Sequence, residues 1–195
     1  AACRLKGRPW KRVPDYKSKL FVEMDHEKAA LQIKYLMSAR DPVAVDFETN
    51  MLKPYSKNAR VISFAVSNGQ ISIAYPWHGE SIKATGELLQ SDVPKIGFNI
   101  KFEDRFAMKE FGFPINSWIY DGMIGTHVLD NRQKICSLKF QAFVLLGVDS
   151  WDDEVKPYMQ SKGSNEPNRL DEFPLNKLLE YNAYDALYEH KIAMI

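Results

Sequence analysis

Cysteine is scarce in this chain: Cys3 and Cys136 are the two thiols among 195 residues. Two cannot build a disulfide framework, so a reducing, intracellular compartment is the expected setting. Long apolar runs are missing as well, which excludes a membrane-spanning helix of about 20 residues and the layout of a signal peptide. A charge excess is lacking: 26 Lys and Arg stand against 25 Asp and Glu, a formal net charge of +1. That balance excludes a histone-like, purely electrostatic nucleic-acid binder, but not an enzyme that handles nucleic acid in a local groove. His127 and His190 have no partner at zinc-ligand spacing and read as structural, and His78, beside Gly79, reads as a loop residue. No internal repeat is present. An initiator Met is missing, and the closing Lys191-Ile-Ala-Met-Ile195 reads as the interior of a helix, so the expectation is a domain cut from a longer protein.

What is present suffices for one sizeable core, since 45% of the residues are apolar. Residues 1–20 carry seven Lys or Arg against Asp15 alone, with Trp10, Pro9 and Pro14, and read as an irregular basic arm. Contact of positions 4–12 with a nucleic-acid backbone and plain solvation are both open. The boundaries expected are 1–40 for the arm and a leading helix, and 41–195 for the main domain. Ala29, Ile33, Leu36 and Met37 mark a helix over 28–38. Asp41-Pro42 breaks it and launches a strand over 43–48. Strands at 61–67 and 71–77 flank Asn68-Gly69, a hairpin signal. A helix over 80–92, a short strand over 95–98, and a helix capped by Asn99 and ended by Gly112 follow. Further helices are expected over 121–131, 137–146 and 174–194, with Asp121 capping the first. The polar stretch 149–171, with Pro157, Gly163 and Pro167, reads as a mobile loop that could gate a site or meet another domain. Early strands and late helices give an α/β fold with a mixed sheet.

Within that frame, Pro42-Val-Ala-Val-Asp-Phe-Glu-Thr-Asn50 carries the most information. Alternation on a strand turns Asp46 and Glu48 to one face and Phe47 to the other. Two adjacent carboxylates on a core strand repel and resist desolvation, and a divalent cation relieves both. Two more acidic stations follow: Asn99-Ile-Lys-Phe-Glu-Asp104 at a helix start, and Tyr181-Asn-Ala-Tyr-Asp185, whose ends share a helical face. Carboxylates converging from a strand and two helices suit Mg²⁺ or Mn²⁺. Two such ions about 4 Å apart stabilise the attacking and leaving oxygens of phosphodiester hydrolysis. A tyrosine nearby, with an ordinary pKa of about 10, is suited to orienting a water rather than deprotonating it.

Asp46-Phe-Glu48, Asn99-x-x-Phe-Glu103 and Tyr181-x-x-x-Asp185 resemble the three motifs of the DEDD 3′–5′ exonucleases in their tyrosine-bearing (DEDDy) branch. The order is similar to that of the proofreading domain of A-family, Pol I-like DNA polymerases of viral, phage or organellar type. Ile96–Phe102, Tyr120-Asp-Gly-Met-Ile124 with Val128-Leu-Asp-Asn131, and Ser137-Leu138 before Leu146-Gly147 support the match, which covers roughly residues 40–195. The resemblance implies an RNase H-like mixed sheet flanked by helices, as in DnaQ-like exonucleases. It implies two divalent cations, with Asp46 bridging both and Glu48 and Asp185 each on one, and a water oriented by Tyr181. It further implies that Thr49 and Leu52 meet the 3′-terminal nucleotide, Leu52 as an apolar wedge, while Asn99 and Phe102 shape its pocket. The second motif ordinarily ends in Asp; here Glu103 takes that place as fourth acid, with Asp104 as the fallback ligand.

The function implied is removal of nucleoside 5′-monophosphates from single-stranded or frayed DNA 3′ ends, as a proofreading domain linked to a polymerase domain outside this sequence. For a phage or viral protein the location implied is the host cytoplasm, with an organelle as the alternative; no membrane partner is expected. An RNase D-like RNA exonuclease shares all three motifs. An inactive exonuclease fold kept as a structural or single-strand-binding module is the remaining alternative.

Overall fold

A computed structural model describes residues 13–130, 132–163 and 165–195. Six strands form one mixed sheet in the order β1-β4-β3-β2-β5-β6. They are β1 (Leu20–Val22), β2 (Val43–Thr49), β3 (Val61–Ser67), β4 (Ser72–Pro76), β5 (Lys95–Gly97) and β6 (Trp118–Asp121). The β2–β3 and β3–β4 pairs are antiparallel, whereas β1–β4, β2–β5 and β5–β6 are parallel. The hairpin expected at Asn68-Gly69 is present. Gly69 holds a positive φ of 78° there, and a Cβ would collide with the His190 ring.

Alternation sorts the sheet into two faces. Val43, Val45 and Phe47 join Phe64, Val66, Ile73 and Tyr75 in the main core. That core is closed by α1 (His26–Ala39), α2 (Glu80–Gln90) and α3 (Ile100–Phe111). The opposite face carries small residues: Ala65 and Ala74 pack on Leu179, Ala183 and Ala186 of a long helix, Leu175–Ala193. Ser72 Oγ donates to the Ala183 carbonyl at 2.7 Å. Small side chains let this helix lie close against the sheet, so its polar residues reach the central strand. Asp46 and Glu48 occupy that face, as the strand alternation requires.

Between these helices lie α4 (Gly122–Leu129), α5 (Leu138–Gln141) continued by a π-helical turn over Ala142–Leu146, and α6 (Lys156–Met159). The long helix is α7. Two strands are additions to the sequence expectation. Leu20–Val22 pairs with β4 although residues 1–20 read as an irregular arm, and Trp118–Asp121 extends the sheet beyond β5. Both are too short for alternation to show. The basic positions 4–12 lie outside the described residues.

The segment 149–171 differs from the mobile loop expected of it. Val155 and Leu170 are buried, packed with Phe173, Leu178 and Tyr181. Asn168 donates through its backbone N–H to the Asn50 carbonyl and through Nδ2 to the Thr49 carbonyl, at 2.8 and 2.9 Å. Polar composition suggested mobility, but Val155, Asn168 and Leu170, spaced among charged residues, hold the segment against β2 and α7. Among the described residues, no helix is long and apolar enough to cross a membrane.

Candidate active site

The site forms where the end of β2 meets α7. One carboxylate oxygen each from Asp46, Glu48 and Asp185 lies within 4.8 Å of the others. A bulge between Glu48 and Thr49 re-aims the strand end just past the pair. Burial, then the Asp185 charge, pushes the Asp46 carboxyl up to about 7. Burial and the neighbouring Asp46 and Asp185 likewise hold Glu48 well above its ordinary range. This set of hard oxygen donors in a mutually repelling cluster fits a divalent cation of the Mg²⁺ or Mn²⁺ kind.

Four residues hold the carboxylates in place. Asn182 Nδ2 donates to Asp46 Oδ2 at 2.5 Å, and its own Oδ1 accepts from Ser63 Oγ at 2.9 Å. Trp151 Nε1 donates to Asp185 Oδ1 at 2.6 Å. Lys139 Nζ donates to Asp185 Oδ1 and Oδ2 at 2.9 and 2.7 Å, and to the Tyr181 phenol oxygen at 2.7 Å. Its ammonium also lies 5.0 Å from the Trp151 ring centroid and 4.7 Å from that of Tyr181. Burial works to lower the Lys139 pKa, but Asp185, Glu48 and Asp46 outweigh it and keep the ammonium charged. Burial, then the Asp185 and Glu48 charges, raise the Tyr181 phenol well above its ordinary value.

Glu103 and Asp104, which the sequence left as rivals, face different ways. Asp104 Oδ1 accepts from the Ile115 backbone and from Trp118 Nε1, both at 3.0 Å, and so ties α3 to the start of β6. Glu103 is 3% exposed, and its Oε2 has no hydrogen-bond partner among the described residues. Burial, then the Asp46 charge, raise its pKa well above the ordinary range. Glu103 is thus the neighbour whose carboxyl feels the cluster, although it stands outside the tight triangle.

Asp121 caps two helices rather than one. Its oxygens accept from Met123 and Ile124 at the start of α4, and from Asn99 and Ile100 at the start of α3. Asn99 therefore occupies the cap position of α3, with φ 76°, without capping through its side chain as expected. Of the other positions assigned to substrate, Thr49 is buried with Oγ1 donating to the Met51 carbonyl. Leu52 is 80% exposed, and Phe102 packs on the core beside Phe106 at 4.9 Å. His190 is structural, with Nε2 donating to the Pro42 carbonyl at 3.1 Å.

Lys139, Trp151 and Asn182 are absent from the sequence-level site. Asn182 lies inside the third motif, and Lys139 directly follows Ser137-Leu138, so both were adjacent to recognised stretches. Trp151 carried no local signal.

A family model described as 3′–5′ exonuclease matches residues 21–195. No curated protein matches the chain. Among solved structures, Brucella melitensis NrnC bound to pGG is 21% identical with a TM-score of 0.61, over 80% of this chain and 71% of that one. NrnC with bound Mg²⁺ is also similar, with a TM-score of 0.57. Trypanosoma brucei RNase D in complex with GMP is 17% identical with a TM-score of 0.71, over 91% of this chain and 57% of that one. Escherichia coli RNase D, an exoribonuclease involved in structured RNA processing, is 12% identical with a TM-score of 0.67. The match covers 89% of this chain and 43% of that one. At these identities the likeness is one of fold, and it agrees with the mixed sheet and flanking helices expected from the motifs.

Proposed function

Because the chain belongs to the 3′–5′ exonuclease family, we propose that it removes nucleotides one at a time from the 3′ end of single-stranded or frayed nucleic acid, releasing 5′-monophosphates. The observation that carries this is the Asp46–Glu48–Asp185 oxygen triangle with Tyr181 one turn before Asp185. Asp46, Glu48 and Asp185 would hold divalent cation, with Glu103 as the fourth acid. Bound there, the cations supply Lewis-acid stabilisation of the charge that develops on the scissile phosphate. Tyr181 keeps its proton at neutral pH, so it orients the attacking water by hydrogen bonding and does not act as the base. Asn182 and Trp151 fix the rotamers of Asp46 and Asp185, which a reaction sensitive to small misplacements requires. Exposed Leu52 is available as the wedge against the terminal base, and Asn99 and Phe102, half-buried at the start of α3, would shape its pocket.

Substrate class divides the proposal. RNA is supported by the relatives: two are named RNase D, one of them also known in complex with RNA U12. DNA proofreading beside an A-family polymerase is supported by the motif order and by Tyr120-Asp-Gly-Met-Ile124, though none of the relatives named above is a polymerase. The fold likeness weighs toward RNA. Degradation of 5′-labelled RNA and DNA single strands of one sequence, with Mg²⁺, with Mn²⁺ and with chelator, tests both. A ladder shortening from the 3′ end, absent in Asp46→Ala, supports the exonuclease, and the faster substrate identifies the class. Absence of cleavage on both under every metal would sink the proposal.

A further inference from the structure

The chain leaves the strand that carries Asp46 and Glu48 in a loop over 50–60, and that loop is braced throughout. Asn50, 4% exposed, clasps its two ends. The Asn50 backbone N–H donates to the Arg60 carbonyl at 3.2 Å, Nδ2 donates to the Asn58 carbonyl at 2.9 Å, and Oδ1 accepts from the Arg60 N–H at 2.8 Å. Inside the clasp run two turns, closed by the Ser56 N–H on the Lys53 carbonyl and the Ala59 N–H on the Ser56 carbonyl, both at 3.1 Å. Pro54 stands second in the first turn, and Asn58 takes a φ of 68° in the next, each a residue suited to its place. Met51, Pro54 and Ala59 are buried, and Lys109 Nζ donates to the Ala59 carbonyl. The 149–171 segment is stapled alongside: Lys53 Nζ donates to Asn165 Oδ1 at 2.7 Å, and Arg60 pairs with Asp171 at 2.5 Å.

A loop fixed by buried anchors nevertheless leaves Leu52 80% and Tyr55 71% exposed. Its surroundings are basic although the whole chain carries only +1. Lys53, Lys57 and Arg60 stand without an acid between 50 and 60, and Lys156, Lys162 and Arg169 face Glu166 alone between 156 and 169. A rigid, exposed aromatic ring among lysines is the chemistry of single-strand recognition: an unpaired base stacks on the ring and the cations meet phosphates.

We propose that this braced rim is a track for single-stranded nucleic acid, with Tyr55 as its stacking platform and Lys53 and Lys57 on the phosphates. The proposal rests on the exonuclease reading for its direction. With the 3′-terminal dinucleotide held by the acidic triangle and Leu52, the rest of the strand leaves toward its 5′ side. Tyr55, three positions beyond Leu52, receives a base 5′ of that dinucleotide. A duplex keeps its bases stacked on one another and offers none to the ring, so the track selects single strands before any bond is cut.

The test compares wild type, Tyr55→Ala, Tyr55→Phe and the double variant Lys53→Gln/Lys57→Gln on a 12-nucleotide single strand and on a dinucleotide, as RNA and as DNA. Cleavage is measured with Mg²⁺, and binding of the 12-mer is followed by fluorescence anisotropy in chelator over a range of salt. In Tyr55→Ala the preference in kcat/KM for the 12-mer over the dinucleotide should fall about tenfold, through KM, and 12-mer binding should weaken by the same factor. Tyr55→Phe, which keeps the ring face, should restore both. The double variant should flatten the salt dependence of binding by about 0.7 per lysine. RNA and DNA should respond alike, since a ring stacks on either; an effect confined to one of them would contradict a sequence-tolerant stacking role. An undiminished 12-mer preference together with unaltered binding in Tyr55→Ala would overturn the track and leave Tyr55 a plain surface residue. Were wild type to cleave neither substrate, the exonuclease reading would fail, and loss of 12-mer binding in Tyr55→Ala would still support the track.

Discussion

Lys139 and Asp185, 46 positions apart in sequence, meet with the ammonium bridging both carboxylate oxygens at 2.9 and 2.7 Å. The lysine comes from α5 and the aspartate from α7, so a cation of the chain's own is already docked on one member of the metal triangle.

Removing that ammonium leaves a buried carboxylate cluster uncompensated. Lys139→Met is expected to destabilise the metal-free protein by about 3 kcal/mol, the scale for breaking one side of a buried ion pair. Saturating Mg²⁺ should recover most of the loss, because divalent charge replaces the ammonium. Denaturation with and without chelator measures both; an equal loss in the two conditions would contradict the counter-ion role.

A pH dependence follows with a definite sign. Asp46 has a folded pKa of about 7 against an ordinary 3.8, and Glu48, Glu103 and Glu189 are shifted the same way. Between those pH values the unfolded chain has released protons that the folded chain retains, so stability falls as pH rises from about 4 to about 7. His190, which burial lowers, pulls oppositely over part of that range, but it is one group against four. Denaturant midpoints in chelator should therefore decline from pH 5 to pH 7, and Mn²⁺ should flatten the decline. A rising midpoint in chelator would contradict the assignment.

Glu103→Gln and Asp104→Asn separate the rival acids. Glu103→Gln is expected to reduce cleavage at least 100-fold with little change in melting. Asp104→Asn keeps an acceptor for Ile115 and Trp118 but loses its charge; it should cost about 1 kcal/mol of stability and leave cleavage within a few-fold of wild type. Loss of activity in Asp104→Asn alone would reverse the assignment.

Trp151→Phe removes one donor to Asp185 while keeping a ring against Tyr188, which lies 4.5 Å away, centroid to centroid. Cleavage should fall roughly tenfold, the scale of about 1.4 kcal/mol in the barrier, with the fold retained. Unchanged cleavage would show that Lys139 alone suffices to hold Asp185.

Asp46, Glu48, Tyr181 and Asp185 were legible because each depends on a local rule. Strand alternation put the first two on one face, and a spacing of four put the last two on one helical face. The hairpin at Asn68-Gly69 and the helix end at Gly112 were legible for the same reason: backbone conformation there is set by the residue itself. The choice between Glu103 and Asp104 was not. Adjacent residues on a helix differ by 100° in direction, and only the packing of α3 against β6 showed which of them Trp118 and Ile115 had claimed.

By itself, then, the sequence determined the order of elements apart from β1 and β6, the mixed α/β character, and the shared faces of Asp46 with Glu48 and of Tyr181 with Asp185, since all of these follow from periods of two and 3.6 and from turn chemistry. Tertiary structure alone decided the company those acids keep. Lys139, Trp151 and Asn182 reach the cluster because small residues on one face of the sheet let α7 approach, and because buried anchors fold the 149–171 segment over the strand end. Such contacts join residues tens of positions apart, and no local periodicity encodes them.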